Sequence, residues 1–176
     1  MADDLAHDID RVCRLSGSFL LRSGRTATEY FDKYRFEADP ALLRRVVDRM
    51  VGLLPEDAEV LGGLELGGVP IATVLSQVTG LPVVFVRKAA KEYGTRRLAE
   101  GAEVAGRRVV LVEDVITTGG AVRAAATELR EAGALVEAVV CAIDRSDPGS
   151  EVLADVGLEV RSALTLSDLD EARASA

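Results

Sequence analysis

Two adjacent acids followed by a hydroxyl- and glycine-rich turn stand out in this 176-residue chain: Glu113-Asp114, then Val115, Ile116, Thr117, Thr118, Gly119, Gly120 and Ala121. Paired carboxylates are natural acceptors for sugar hydroxyls. Backbone N–H groups at a helix start attract phosphate oxygens, and glycines let a ligand come close to the backbone. The chemistry this pattern suits is the holding of a sugar phosphate. The same residues would equally end a buried strand in a tight turn, so the surrounding elements have to decide.

A second feature is basic. Residues 87–108 hold Arg87, Lys88, Lys91, Arg96, Arg97, Arg107 and Arg108 against Glu92, Glu100 and Glu103, a local +4 in a chain of net charge −8. Such an island suits a small polyanion, whereas the overall acidity argues against general nucleic-acid binding. His7 is the single histidine, which excludes a histidine-rich metal site, and Cys13 and Cys141 show neither metal-ligand nor disulfide spacing. No apolar run approaches the ~20 residues of a membrane span. The acidic start, MADDLAHDID, is unlike a signal peptide, so a cytoplasmic protein is expected.

The elements that must position these groups follow from hydrophobic periodicity. Leu5, Ile9 and Val12 predict a helix over residues 3–15. Between Ser16 and Phe36, extended pieces at Phe19–Leu21 and Tyr30–Phe31 flank the turn Ser23-Gly24-Arg25, a small appendage before the main fold. Asp39 caps a helix with Pro40 at its first position, running to about residue 54. Strand and helix then alternate. Val60–Leu61 lead into glycines 62, 63, 67 and 68, Pro70 opens a helix closed by Gly80, and Val83–Val86 form a strand before a basic loop to about Gly106. Val109–Val112 are a strand buried on both faces. A helix from Ala121 buries Val122, Ala125, Ala126 and Leu129 and ends at Gly133. Val136–Ile143 form a strand, followed by Asp144-Arg145 and the turn Ser146-Asp147-Pro148-Gly149. A helix to about Val156 and a last strand near Leu158–Ser162 complete the chain.

This alternation predicts an α/β fold, a mostly parallel sheet flanked by helices, in a single domain with residues 1–38 as an N-terminal helix and hood and 39–176 as the core. Ligands of such sheets bind beyond the carboxyl ends of the strands. Four groups then share one edge: the Gly63–Gly68 loop, Arg87-Lys88, Glu113-Asp114 with the threonine turn, and Asp144-Arg145. Neither the nucleotide-binding GxxxxGK[ST] nor the dinucleotide-binding GxGxxG pattern is present. What remains is a ligand with ribose hydroxyls, a 5′-phosphate and a second anionic group.

On these residues the chain resembles a known family. Val109 to Ala121, VVLVEDVITTGGA, is similar to the signature by which type I phosphoribosyltransferases bind phosphoribosyl pyrophosphate. The remainder resembles the orotate-using branch of that family. Residues 87–94, RKAAKEYG, are similar to its catalytic loop. Phe19-Leu20-Leu21-Arg22-Ser23-Gly24 with Tyr30-Phe31 looks like its hood, and Arg145 matches its base-binding arginine.

The resemblance implies Mg²⁺-dependent transfer of phosphoribosyl to orotate, giving orotidine 5′-monophosphate and pyrophosphate, a step of pyrimidine biosynthesis. It implies that Glu113 and Asp114 hold the ribose hydroxyls, with Asp114 favouring the positive charge that develops on the ring. Val115 to Ala121 cradle the 5′-phosphate, and Arg87, Lys88 and Lys91 bind the leaving pyrophosphate. Asp114, Lys91 and Arg87 are the implied catalytic groups. Arg145, Thr117, Tyr30, Phe31 and Arg22 are implied to fix orotate. Mg²⁺ is implied to ride on the substrate and water, with no direct protein ligand. A homodimer with shared sites, and no nucleic-acid or membrane partner, is implied as well. The chain departs from the family in having Tyr93 where histidine is frequent, and Gly67 and Arg22 where lysine is frequent. Transfer to a purine or uracil remains open at this point, as does a ligand-sensing regulator on the same fold.

Overall fold

The computed structural model describes residues 4–20, 24–88 and 99–175. Helix α1 (Asp4–Cys13) precedes an antiparallel hairpin, β1 (Arg14–Leu20) and β2 (Thr26–Phe31). The short helix α2 (Tyr34–Glu37) follows, then α3 (Pro40–Val51), whose cap Asp39 accepts from the Ala41 and Leu42 N–H groups. The α/β core comprises β3 (Val60–Leu64), α4 (Gly68–Thr79), β4 (Val83–Val86), β5 (Ala99–Gly101), β6 (Arg108–Ile116), α5 (Gly120–Glu131), β7 (Leu135–Asp144), β8 (Glu159–Thr165) and α6 (Leu166–Ala174).

The six core strands lie in the order β5-β4-β3-β6-β7-β8, all parallel except β5, which runs antiparallel to β4. The expected sheet is therefore present, with β6 and its acids next to its centre. Alternation along β6 divides the core between the two faces. Val110 and Val112 join the cluster formed with α1, α3, α4 and α6, whereas Val109 and Leu111 join the cluster beneath α5. Fully burying side chains of this size contributes roughly 1.5–3 kcal/mol each.

Gly62 and Gly63 lie inside β3 rather than after it. A Cβ at Gly63 would come within 2.8 Å of the Ala72 Cβ, so the missing side chain lets α4 cross close to the strand. The same closeness recurs at Gly68, where a Cβ would overlap the Val112 carbonyl. These contacts fix the start of α4 against β6.

Four expectations change. The helix expected before Val156 is only a 3-10 turn, Ala154–Val156, stopped by Gly157 in the left-handed region (φ +64°). The last strand runs on to Thr165, and α6 begins there from a capping box in which Thr165 and Asp168 satisfy each other's backbone N–H groups. Strand β5 was not expected at all. The appendage is confined to the hairpin, because Phe36 of α2 is fully buried in the main core. Among the described residues, no helix is long and apolar enough to cross a membrane.

Candidate functional site

The end of β6 carries both acids into the interior. Asp114 is fully buried and Glu113 is 8% exposed. Glu113 Oε1 accepts from the Asp114 N–H at 3.0 Å, and Asp114 Oδ1 accepts from the Val115 N–H. Burial, followed by the adjoining Asp114 carboxylate, pushes the Glu113 carboxyl up to about 8.

Above these acids opens a pocket of about 380 Å³, walled by Lys33, Tyr34, Glu65, Leu66, Lys88 and the whole run from Glu113 to Val122. The structure thus brings together Glu113, Asp114, Val115, Ile116, Thr117, Thr118, Gly119, Gly120, Ala121 and Lys88 as the sequence suggests. Gly119 caps α5 with φ +72°, and no side chain caps the first turn, which leaves the N–H groups of that turn to a ligand. A Cβ at Gly119 would lie 2.6 Å from Leu153 Cδ2, so glycine is needed for both conformation and space. Arg123, one turn into α5, braces the turn by donating to the Thr118 carbonyl at 2.7 Å and pairing with Asp155 at 2.8 Å.

Arg87 borders an adjoining hollow of about 140 Å³, which shares Glu65, Lys88 and Ala121 with the pocket. Glu65 Oε2 accepts from the Lys88 N–H at 3.0 Å and so ties the start of the basic loop to the loop before α4. Lys91, Tyr93 and Gly94 of the expected catalytic loop, and Arg22 of the hood, lie outside the described residues.

Arg145 follows β7, and its N–H donates to the Ile116 carbonyl at 2.8 Å, which holds it beside the threonine turn. Its guanidinium lies 5.2 Å from the centre of the Phe31 ring. Burial and then the nearby charge of Arg14 lower its pKa, and no carboxylate pairs with it among the described residues. A half-buried guanidinium in that state suits an anionic ligand. Tyr30, by contrast, is 44% exposed and its ring stacks 5.5 Å from Phe19, so alternation along β2 separates it from Phe31 and Arg145.

Two further groups escape sequence reasoning. Lys33, at the N-cap of α2, forms an ion pair with Asp114 Oδ2. Burial opposes its charge, but the hydrogen bond to Asp114 and the fields of Asp114 and Glu113 prevail and raise its pKa. Glu37, one turn later, is pushed up to about 8 by burial and by Asp114. The only signal for this pair is its i, i+4 spacing in a short charged segment.

Comparison with known proteins agrees with this geometry. Residues 41–163 match the family model of the phosphoribosyl transferase domain. The orotate phosphoribosyltransferase of a Nocardioides species is 69% identical over 169 residues, covering 96% of this chain and 94% of that protein. That of Methanocella arvoryzae is 45% identical over 153 residues, 87% of each chain. The solved structure of Mycobacterium tuberculosis orotate phosphoribosyltransferase in complex with 5-phospho-α-D-ribosyl 1-diphosphate superposes with a TM-score of 0.79 at 32% identity, covering 95% of this chain and 97% of that one. With its sheet, acid pair and capless turn in accord with these matches, the chain belongs to the phosphoribosyl transferase family and, within it, to the orotate phosphoribosyltransferases.

Proposed function

We propose that this enzyme transfers phosphoribosyl from phosphoribosyl pyrophosphate to orotate. The reaction forms a bond between orotate N1 and ribose C1 with inversion and breaks the C1–O bond to pyrophosphate. The observation that carries the orotate assignment is the Arg145 guanidinium beside Phe31, with which no carboxylate pairs among the described residues, at the same sheet edge as the sugar-phosphate pocket. Orotate carries a carboxylate that a guanidinium can bind in bidentate fashion, and purines and uracil do not.

In this reading Glu113 and Asp114 accept from the ribose hydroxyls, and Asp114 stabilises the positive charge that grows on the ring as pyrophosphate departs. The N–H and hydroxyl groups from Val115 to Ala121 hold the 5′-phosphate. Arg87, Lys88 and Lys91 receive the leaving anion. Thr117, Phe31 and Arg22, with the backbone at Tyr30, orient the base around Arg145. Closure of the basic loop would exclude water from the reacting centre.

Among the described residues no group of three or more acidic, cysteine or histidine side chains is placed to hold a metal ion. Glu113 and Asp114 line an open pocket, and their carboxylates would face a hydrated Mg²⁺ that enters with the substrate. The ion would neutralise charge on the leaving pyrophosphate. We further read residues 1–38, the N-terminal helix with the hood, and residues 39–176, the α/β core, as one domain, in a homodimer whose basic loops serve the neighbouring site.

Orotate depletion in the presence of phosphoribosyl pyrophosphate and Mg²⁺ tests the reading, and no turnover at any accessible enzyme concentration overturns it. Mixing Lys91→Ala with Asp114→Asn subunits tests the shared site. Restored activity is expected, and an inactive mixture that does form mixed dimers argues for sites built within one subunit.

A further inference from the structure

Asp114 meets the rest of the protein on two sides. On the side of α4 there is no room for a side chain, since a Cβ at Gly67 would overlap the Asp114 carboxylate. On the side of α2 the Lys33 ammonium reaches Asp114 Oδ2. The surroundings are otherwise acidic, with Glu113 on the next residue and Glu37 one turn beyond Lys33 on the same helix. Lys33 is therefore the cation against three carboxyl groups.

This is not a surface ion pair. The Asp114 side chain is 1% exposed, and the Lys33 side chain, 34% exposed, helps to wall the pocket. Its ammonium also lies 5.5 Å from the centre of the Tyr34 ring, which limits where the stem can go. An ammonium has three N–H donors. The ion pair with Asp114 leaves N–H groups for whatever occupies the pocket. Of the described residues around that pocket, Lys33 and Lys88 are the cations, and Lys88 lies at the start of a different loop.

We propose that Lys33 is a donor-binding residue of this enzyme: it fixes the Asp114 carboxylate from the hood side and turns its remaining N–H groups to the anionic oxygens of the bound phosphoribosyl donor. The cation comes from α2 because the loop before α4 has no space to present one next to Asp114. The short helix that joins the hairpin to the core thereby forms part of the donor site. This rests on the phosphoribosyl-transfer reading above.

The test compares Lys33→Met, Lys33→Arg and Lys33→Cys in the full-length enzyme. Lys33→Met is expected to raise KM for phosphoribosyl pyrophosphate at least tenfold, to weaken binding of pyrophosphate measured by calorimetry, and to change KM for orotate less than threefold. Lys33→Arg should retain part of the donor affinity. Aminoethylation of Lys33→Cys should restore it, because Cys13 and Cys141 are buried and escape the reagent. Equal loss toward both substrates, or unaltered pyrophosphate binding by a folded Lys33→Met protein, overturns the proposal. Failure of aminoethylation to recover donor affinity does the same. If instead the wild-type enzyme does not use orotate, it is the broader functional reading that fails, and pyrophosphate calorimetry still decides the role of Lys33.

Discussion

The Arg145 guanidinium stacks over the Phe31 ring at 5.2 Å, joining the end of the fourth parallel strand to the N-terminal hairpin. Neither residue lines the sugar-phosphate pocket, yet the Arg145 backbone is bonded to Ile116, one residue before Thr117 of the turn that does. Acceptor and donor binding are thus physically adjacent and chemically separable. Replacing Arg145 with Ala should lower kcat/KM for orotate by about 10- to 100-fold, since a hydrogen bond to a charged group is worth roughly 1.5–3 kcal/mol. Affinity for phosphoribosyl pyrophosphate should stay nearly constant. Steady-state kinetics with each substrate varied separately give the answer, and parallel loss toward both would count against the assignment.

The acid pair predicts a pH dependence whose sign can be worked out. The Glu113 carboxyl is raised from an ordinary value near 4.5 to about 8 in the folded protein, chiefly by burial. Below about 4.5 both folded and unfolded chains are protonated there. Between about 4.5 and 8 the folded chain retains a proton that the unfolded chain has released, so this group's contribution to stability declines as pH rises through that window. Glu37 acts in the same direction. The Tm of the ligand-free protein should therefore fall from pH 5 to pH 8, and Glu113→Gln should flatten the slope.

Ribose hydroxyls donate to carboxylates, so donor binding at neutral pH should expel a proton from the acid cluster. Calorimetric titration with phosphoribosyl pyrophosphate in buffers of different ionisation enthalpy measures that release directly. A heat independent of buffer would mean that the acids stay protonated or begin ionised.

Gly119 and Gly120 look alike in the sequence and should behave differently. Gly119→Ala introduces a side chain at φ +72° and against Leu153, whereas the nearest atom to a Cβ at Gly120, Thr118 Oγ1, is 4.0 Å away. A left-handed non-glycine residue costs roughly 1–2 kcal/mol before any clash. Gly119→Ala should lower Tm and phosphate affinity together. Gly120→Ala should leave Tm nearly unchanged. Thermal melts with and without inorganic phosphate distinguish the two.

Arg14 offers a prediction for the hairpin. It pairs with the buried Asp10 at 2.6 Å and with Glu29 of β2 at 3.4 Å, so it clamps the base of the hairpin to α1. Arg14→Ala leaves Asp10 without that partner and should accelerate hydrogen exchange across Thr26–Phe31. It should also raise KM for orotate more than KM for phosphoribosyl pyrophosphate. The exposed Arg173–Glu29 pair is screened by solvent and contributes less.

Much of this architecture is legible locally. Val83–Val86 and Val109–Val112 are apolar runs of strand length, and the α5 face of Val122, Ala125, Ala126 and Leu129 repeats at helical spacing. Strand β5 is not legible, because its three residues carry no apolar alternation and are defined by backbone pairing to β4. Helix α6 is weakly amphipathic, and only the Thr165–Asp168 capping box marks its start. Lys33 is hidden for a different reason. Its partner Asp114 is distant in sequence and on another element, so no local pattern predicts that the two will meet.

The pairing of Arg173 with Glu29 spans 144 positions and brings the last helix onto the hairpin. Every residue that walls the sugar-phosphate pocket has been synthesised by Val122, but the hairpin gains this support only once Arg173 has followed. A ribosome-bound chain would therefore have the means to shape its donor side well before its acceptor side is buttressed. The order in which the protein is made runs parallel to the division of labour in its site.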